Sequence, residues 1–430
     1  MNIAIVTDTY FPDINGVTSS IFTLSESLKS KGHKVYVFTV SEPKSILRRL
    51  KADPTIYRFP SIPLVFIKPH RATLPFSVRM IRMMRKLKID IIHTQSEFFM
   101  GFVGVNAAAA LNIPIIHTYH TMLEDYTHYV AGGKIASKKF ARRYSRVFCN
   151  MTDSVIVPTA KVEASLLSYG VKRPLYVIPT GIDLEPFRRE NISDEVVAKL
   201  KSKLNIDPSH KLILCLGRVA KEKSIDIAIS VLPDIIRLIP DARLLIVGDG
   251  PALPKLRALA KTLEVEQYIY FAGAASYSEI GKYYRLGDVF LCCSVTETQG
   301  LTYYEAMASG TPVIARKDDS IRNLLIDREN CRMFQDSNEL PLIVSELLND
   351  SQNAARLSAK AREAMEFYSA STFGSRVEDA YKNTIDRTRL ALETRKYSMV
   401  RFPTAKVMRG IKLIMPTVRK GIKRTVRRFK

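Results

Sequence analysis

Short runs rich in Val, Ile and Leu recur along the chain, separated by amphipathic stretches of helical length. This alternation constrains the fold more than any other feature. The runs fall at residues 2–7, 34–39, 89–93, 113–118, 154–158 and 175–179, and again at 211–217, 243–248, 268–272, 288–293 and 312–315. Apolar strands of this kind belong in parallel sheets covered by helices on both faces. Two such series predict two doubly wound α/β domains, with ligands at the carboxyl ends of the strands and in the cleft between the domains. Residues 179–183, Pro-Thr-Gly-Ile-Asp, end the first series, and a polar helix over 194–204 leads into the second. The expected organisation is a domain over 1–185, a second over 186–375, a C-terminal helix over 376–395 crossing back to the first, and a tail over 396–430.

Composition narrows the classes of function. A chain of 430 residues can hold two cores. No stretch approaches the roughly 20 apolar residues that span a bilayer, and the opening segment reads as a strand rather than a signal peptide. Cys149, Cys215, Cys292, Cys293 and Cys331 lie mostly in apolar runs without metal-ligand spacing, which fits core packing in a reducing compartment and no zinc site. Charge is unevenly spread. Lys+Arg stand against Asp+Glu as 24 to 13 over residues 1–185, 29 to 29 over 186–395, and 12 to none over 396–430. One half and the tail therefore suit an anionic surface, either a membrane or a nucleic acid.

The segment from Thr296 to Glu305 places two carboxylates, Glu297 and Glu305, eight residues apart around the start of an expected helix over 301–309, closed by Gly310. First-turn amides near Gly300, Leu301 and Thr302 form an anion site suited to a diphosphate. Glu305, one turn in, suits the hydroxyls of a ribose, and Glu297 those of a sugar beyond the phosphates. The plainer alternatives are an exposed helix glutamate and a partner for the helix dipole. After an earlier strand, Gly217-Arg218 and Lys223 offer a guanidinium fork and an ammonium to the same phosphates, or simply a solvated basic loop. Gly248-Asp249-Gly250-Pro251 adds a tight turn on that edge. In the first half, Gly16 opens a helix over 18–28 and allows close backbone approach to a phosphate or sugar, although a turn glycine explains it equally. The spacing of a dinucleotide fingerprint is missing. His117, His120 and His128 cluster at a strand's carboxyl end as substrate contacts or as buried core histidines.

Taken together, these residues resemble the retaining glycosyltransferases of family GT4, which share the two-domain GT-B fold. Glu297 and Glu305 match that family's Glu-x7-Glu motif. The Gly16 loop, residues 179–183, Gly217-Arg218 with Lys223, and 248–251 follow in the family's order, so the resemblance covers residues 1 to about 395. The wording of residues 117–129 and 297–302 is similar to bacterial diacylglycerol glucosyltransferases. The resemblance implies a UDP-sugar co-substrate, UDP-glucose, and diacylglycerol or a related lipid as acceptor. Glu305 would hold the donor ribose and Glu297 the transferred sugar. Arg218 and Lys223, with the amides near Gly300, Leu301 and Thr302, would hold the diphosphate. Gly16 would approach the β-phosphate, and His120 would sit over the sugar near its reacting carbon. Retention of configuration implies an α-linked product. No metal or other cofactor is expected, since Arg and Lys supply the positive charge.

The basic segments fit the lipid side of that reading. Residues 77–88 form an expected helix carrying Arg79, Arg82, Arg85 and Lys86 on one side, with Met and Ile on the other. That suits a surface helix on anionic lipid, or equally a basic outer face over an apolar core face. In the tail, an apolar stripe broken by Pro416 is flanked by Lys420, Lys423, Arg424, Arg427 and Arg428 without a single acid. A nucleic-acid surface would interleave aromatics for stacking, and these segments do not. The expectation is a peripheral protein on the cytoplasmic face of the membrane.

Overall fold

The computed structural model describes residues 1–13, 15–43, 53–63, 71–124, 137–294, 299–319 and 321–395, and side chains to residue 391. The chain divides into two compact units. One comprises Met1–Pro179 and the segment from Phe373 onward, and the other Thr180–Thr372. The division falls a few residues before the 185/186 junction read from the sequence.

The first unit contains β1 (Asn2–Val6), α1 (Gly16–Ser30), β2 (Lys34–Val40), β3 (Ile56–Phe59), the short pair β4 (Ile62–Pro63) and β5 (Arg71–Ala72), and α2 (Val78–Lys86). Then come β6 (Ile91–Thr94), α3 (Phe99–Leu111), β7 (Ile115–Thr118), α4 (Lys138–Cys149), β8 (Ser154–Val157), α5 (Ala160–Ser168) and β9 (Leu175–Val177). Seven of these strands form one parallel sheet in the order β3-β2-β1-β6-β7-β8-β9.

Alternate residues of β1 go to opposite faces, as a pleated strand requires. Ile3 and Ile5 pack with Ile21 and Leu24 of α1, whereas Ala4 and Val6 pack with Met80 and Met84 of α2 and Met100 of α3. Both faces are therefore dry, and this is why the strands read as unbroken apolar runs. Asn15 caps α1 through its side-chain oxygen, which accepts from the Thr18 amide at 3.0 Å. Gly16 is thus the first helical residue rather than part of the preceding loop.

The second unit contains α6 (Asp194–Lys203), β10 (Lys211–Leu216), α7 (Ile225–Leu238), β11 (Ala242–Val247), α8 (Leu253–Thr262), β12 (Ile269–Gly273), α9 (Ile280–Leu286) and β13 (Val289–Cys292). It continues through α10 (Leu301–Ala308), β14 (Val313–Arg316), β15 (Arg332–Phe334), α11 (Leu340–Asn349) and α12 (Ser351–Met365). Its six strands are parallel in the order β12-β11-β10-β13-β14-β15. Leu212 and Leu214 of β10 face one core and Ile213 and Cys215 the other. The edge strands β3 and β15 were not read from the sequence, because β3 is short and only partly buried and β15 is three residues long and begins with an arginine.

The last helix, α13 (Ala370–Arg395), packs on the first unit. Phe373, Val377, Ala380 and Tyr381 recur at helical spacing and join Ile3, Ile5 and Ile21 in one core. Gly374 permits the approach, since a Cβ there would lie 2.1 Å from the Ser27 hydroxyl of α1. No described helix is long and apolar enough to cross a membrane.

Candidate active site

Ligands of open parallel sheets bind where strand order reverses direction. In the second unit that point lies between β10 and β13. The carboxyl ends of these strands and the start of α10 enclose a small recess lined by Gly217, Arg218, Lys223, Cys293 and Thr302. The loop after β10 is shaped by its neighbour. Gly248 has φ +140°, and a Cβ on it would lie 1.9 Å from the Gly217 carbonyl oxygen. A Cβ on Gly250, at φ +157°, would lie 2.3 Å from the Val219 carbonyl oxygen, and the Val219 amide donates to the Asp249 carbonyl at 3.0 Å. Only glycine fits where one turn seats the other. The Ser294 hydroxyl then ties the loop to β13 by donating to the Glu222 carbonyl at 3.1 Å. Arg218 ends up exposed and Lys223 half-buried.

Gly300 adopts the left-handed conformation, φ 77°, and starts α10. Just before it, Gln299 is buried and bonds Thr180 twice, accepting from its amide and donating to its carbonyl, both at 2.8 Å. This residue was missed, although its place within the Glu-x7-Glu segment was in plain view. Leu301 and Thr302 remain partly exposed on the first turn.

Glu305 is buried, unlike the exposed helix glutamate of the plainer alternative. It is 6 % exposed, and its Oε2 accepts a 2.7 Å hydrogen bond from the fully buried Tyr284 hydroxyl of α9. Burial pushes its pKa up to about 7, while the Tyr284 bond and the nearby Lys223 ammonium pull it back down. The carboxylate and the ammonium thus belong to one electrostatic cluster. Glu297 lies outside the described residues.

In the first unit the strand order reverses between β1 and β6. Asp8 follows β1 and is buried. Its carboxylate accepts from the Ser96 hydroxyl at 2.6 Å and the Met100 amide at 2.9 Å, serving the start of α3 where Phe98 provides no side-chain cap. Burial still raises Asp8 to about 6. Glu97 is 3 % exposed and pushed to about 8 by burial. Neither acid was singled out in the sequence; the available signal was a polar residue directly after a buried strand.

The histidine cluster separates by role. His117 is fully buried, its Nδ1 3.0 Å from the Thr94 carbonyl, with its ring edge-on to Phe148 at 4.8 Å, and burial drops its pKa to about 3. It is a core histidine. His120 is partly exposed at the sheet's carboxyl edge, with Nε2 2.6 Å from Gln95 Oε1, and desolvation lowers it to about 4. His128 lies outside the described residues.

Arg79, Arg82, Arg85 and Lys86 are all exposed on α2, whereas Met80 and Met84 face the core of the first unit. The helix's apolar side is therefore spent on packing. The exposed apolar residues lie just before it and at its first position: Leu74 is 77 % exposed, Phe76 53 % and Val78 49 %. Asn106 of α3 anchors this stretch by donating to the Pro75 carbonyl at 2.7 Å. The tail residues Lys420, Lys423, Arg424, Arg427 and Arg428 fall outside the described residues.

Comparison with known proteins follows the same division. Residues 14–186 match the model for Glycosyltransferase Family 4, and residues 196–364 that for Glycosyl transferases group 1. The chain is 38 % identical over 387 residues to an alpha-monoglucosyldiacylglycerol synthase of Streptococcus pneumoniae, covering 90 % of this chain and 86 % of that protein. It is 34 % identical over 394 residues to the protein of the same name from Acholeplasma laidlawii, covering 90 % and 98 %. Among solved structures, sucrose-phosphate synthase from Thermosynechococcus elongatus superposes with a TM-score of 0.73 at 21 % identity, over 90 % of this chain and all of that one, a likeness of fold. With two parallel-sheet units, a phosphate-suited recess at a strand-order reversal and relatives matching along nearly its full length, the chain belongs to the family-4 glycosyltransferases of the GT-B fold.

Proposed function

We propose that the protein transfers glucose from UDP-glucose to the 3-hydroxyl of 1,2-diacylglycerol, giving an α-glucosyl diacylglycerol at the cytoplasmic face of an anionic membrane. The observation that carries this reading is the 38 % and 34 % identity, over 90 % of the chain, to two proteins named as alpha-monoglucosyldiacylglycerol synthases.

The second unit supplies the donor chemistry. Arg218 and Lys223, with the amides at Gly300, Leu301 and Thr302, take the diphosphate and stabilise the charge that grows on departing UDP. This assigns the electrostatic work to side chains rather than to a metal ion. Glu305 accepts the ribose hydroxyls: Tyr284 occupies Oε2, and no described residue bonds Oε1. Glu297 holds hydroxyls of the transferred sugar. His120 contributes a hydrogen bond to the substrate, and Gly16, at the start of α1, the close approach of backbone to the donor. A substitution on the face that the phosphate leaves, assisted by that phosphate, accounts for retention.

The first unit supplies the lipid side. Exposed Arg79, Arg82, Arg85 and Lys86 meet anionic headgroups, and Leu74, Phe76 and Val78 reach the acyl boundary. The basic tail adds a second attachment, as stable anchoring needs.

Radiolabelled UDP-glucose incubated with the full chain and mixed liposomes tests this. Label in a lipid that depends on diacylglycerol and rises with anionic lipid is the expected result. Slow UDP release without labelled lipid would refute the acceptor. Transfer onto a glycosylated lipid, phosphatidylinositol or a wall precursor in its place would identify the neighbouring reaction of the same family.

A further inference from the structure

At the carboxyl edge of the first sheet, a chain of hydrogen bonds runs from the C-terminal helix to His120. The Tyr381 hydroxyl of α13 lies 2.7 Å from His93 Nδ1, and the Thr118 hydroxyl 2.6 Å from His93 Nε2. The Gln95 amide nitrogen sits 3.2 and 3.1 Å from the same two ring nitrogens. Gln95 Oε1 faces the other way, 2.6 Å from His120 Nε2. Gln95 is 2 % exposed, and its backbone amide extends the sheet by donating to the Val6 carbonyl at 2.9 Å. It sits at the strand-order reversal between β1 and β6.

The chemistry of these partners fixes the direction of each bond. His93 is fully buried, so its ring is neutral and electron-rich. An amide N–H is attracted to such a ring, whereas an amide oxygen would be repelled. The donor end of Gln95 therefore points at His93, and its oxygen, an obligate acceptor, points at His120. A ring nitrogen 2.6 Å from that oxygen must carry the proton. In a neutral imidazole, the other nitrogen is then bare.

We propose that Gln95 is a positioning residue for His120: it holds the imidazole through Nε2–H and leaves Nδ1 as a hydrogen-bond acceptor for a substrate hydroxyl. The partial exposure of His120, beside fully buried His93 and His117, leaves the ring accessible to a ligand. His93 on β6 and His117 on β7 are titratable groups beside it, and both stay uncharged. Asp8 after β1 and Glu97 after β6 are buried acids of the same edge. Tyr381 makes α13 the far support of the arrangement, so the returning helix does more than cover the sheet.

The inference rests on reading His120 as a substrate contact, but the tautomer belongs to the free protein, so the two can fail separately. In the full chain labelled with 15N-histidine, the His120 signals are assigned by their loss in His120→Gln. The expected spectrum at neutral pH shows a protonated Nε2 and a bare Nδ1. A proton on Nδ1 would overturn the proposal whatever the substrate. Gln95→Glu, of the same shape, places a carboxylate against Nε2–H and favours the imidazolium, which has no acceptor. The midpoint for forming the His120 imidazolium, followed by its 15N signals, should then rise by about one pH unit or more, with both ring nitrogens protonated below it. A His120 midpoint that stays in place in a folded Gln95→Glu protein would likewise refute the positioning role.

Discussion

Lowering the pH from 8 to 6 should weaken UDP-glucose binding about tenfold, and one carboxyl group should account for it. Glu305 accepts from ribose hydroxyls best when ionised, because protonation turns one of its oxygens into a donor, and burial has moved its pKa up to about 7. The sign follows directly. Because the pKa is raised, the carboxylate fills as pH rises through about 7, so binding is strong above that point and lost below it. One pH unit either side of the midpoint takes the ionised fraction from about nine-tenths to about one-tenth, and the apparent Kd follows it. UDP-glucose is the proper ligand, since its diphosphate is esterified at both ends. Free UDP carries a terminal phosphate that itself titrates near pH 6. Calorimetric titrations of the full chain across this range give the assay. Glu305→Gln should bind more weakly at pH 8 and lose the pH dependence. Tyr284→Phe removes a hydrogen bond that favours the carboxylate, and should move the midpoint upward. A wild-type Kd independent of pH, or an unchanged slope in Glu305→Gln, would refute the assignment of Glu305 to the donor.

Other substitutions probe the scaffold and the surface. Gly248→Ala forces a Cβ into the Gly217 carbonyl at a positive φ and should cost about 3 kcal/mol or more, read as a lower thermal midpoint and weaker donor binding together. Gln299→Ala strands the buried Thr180 amide and carbonyl, at about 1–3 kcal/mol for each lost partner, measured by denaturant unfolding of the second unit; an unchanged midpoint would show the bonds to be dispensable. Replacing Arg79, Arg82, Arg85 and Lys86 together by Gln should weaken the vesicle partition constant, read by sedimentation with anionic vesicles, by up to about a thousandfold while leaving UDP-glucose binding intact. Unchanged vesicle binding would move the attachment to the tail.

The elements of this fold were legible because their determinants are local. Apolar runs mark β1, β10 and β13. Asn15 caps α1, although the expected start at residue 18 placed Gly16 outside the helix that it opens. Gly300 and Gly310 bracket α10 with positive φ, as the expected helix over 301–309 required. The pairing of Glu297 with Glu305, and the basic residues of the β10 loop, were visible as spacing alone. The return of a C-terminal helix to the first unit was read as topology, without the residues that effect it.

What the chain could not show is everything that depends on distant residues arriving at one place. Burial of Glu305 sums over the second unit's core, so its carboxyl titrates near neutrality against Tyr284 instead of as the exposed helix glutamate of the plainer alternative. Gly248 and Gly250 have meaning only once the β11 turn lies on the β10 loop. Met80 and Met84 looked as suited to a bilayer as to a core until α2 met the first sheet. His117 and His120, three residues apart, differ because one ends inside a two-sided sheet and the other at its edge. Local sterics and hydrogen bonding are written in neighbouring residues, so the sequence by itself determined the helices, strands and turns. Desolvation and long-range pairing are properties of the assembled fold, and only the tertiary structure decided which polar groups were buried, paired or left to meet a substrate.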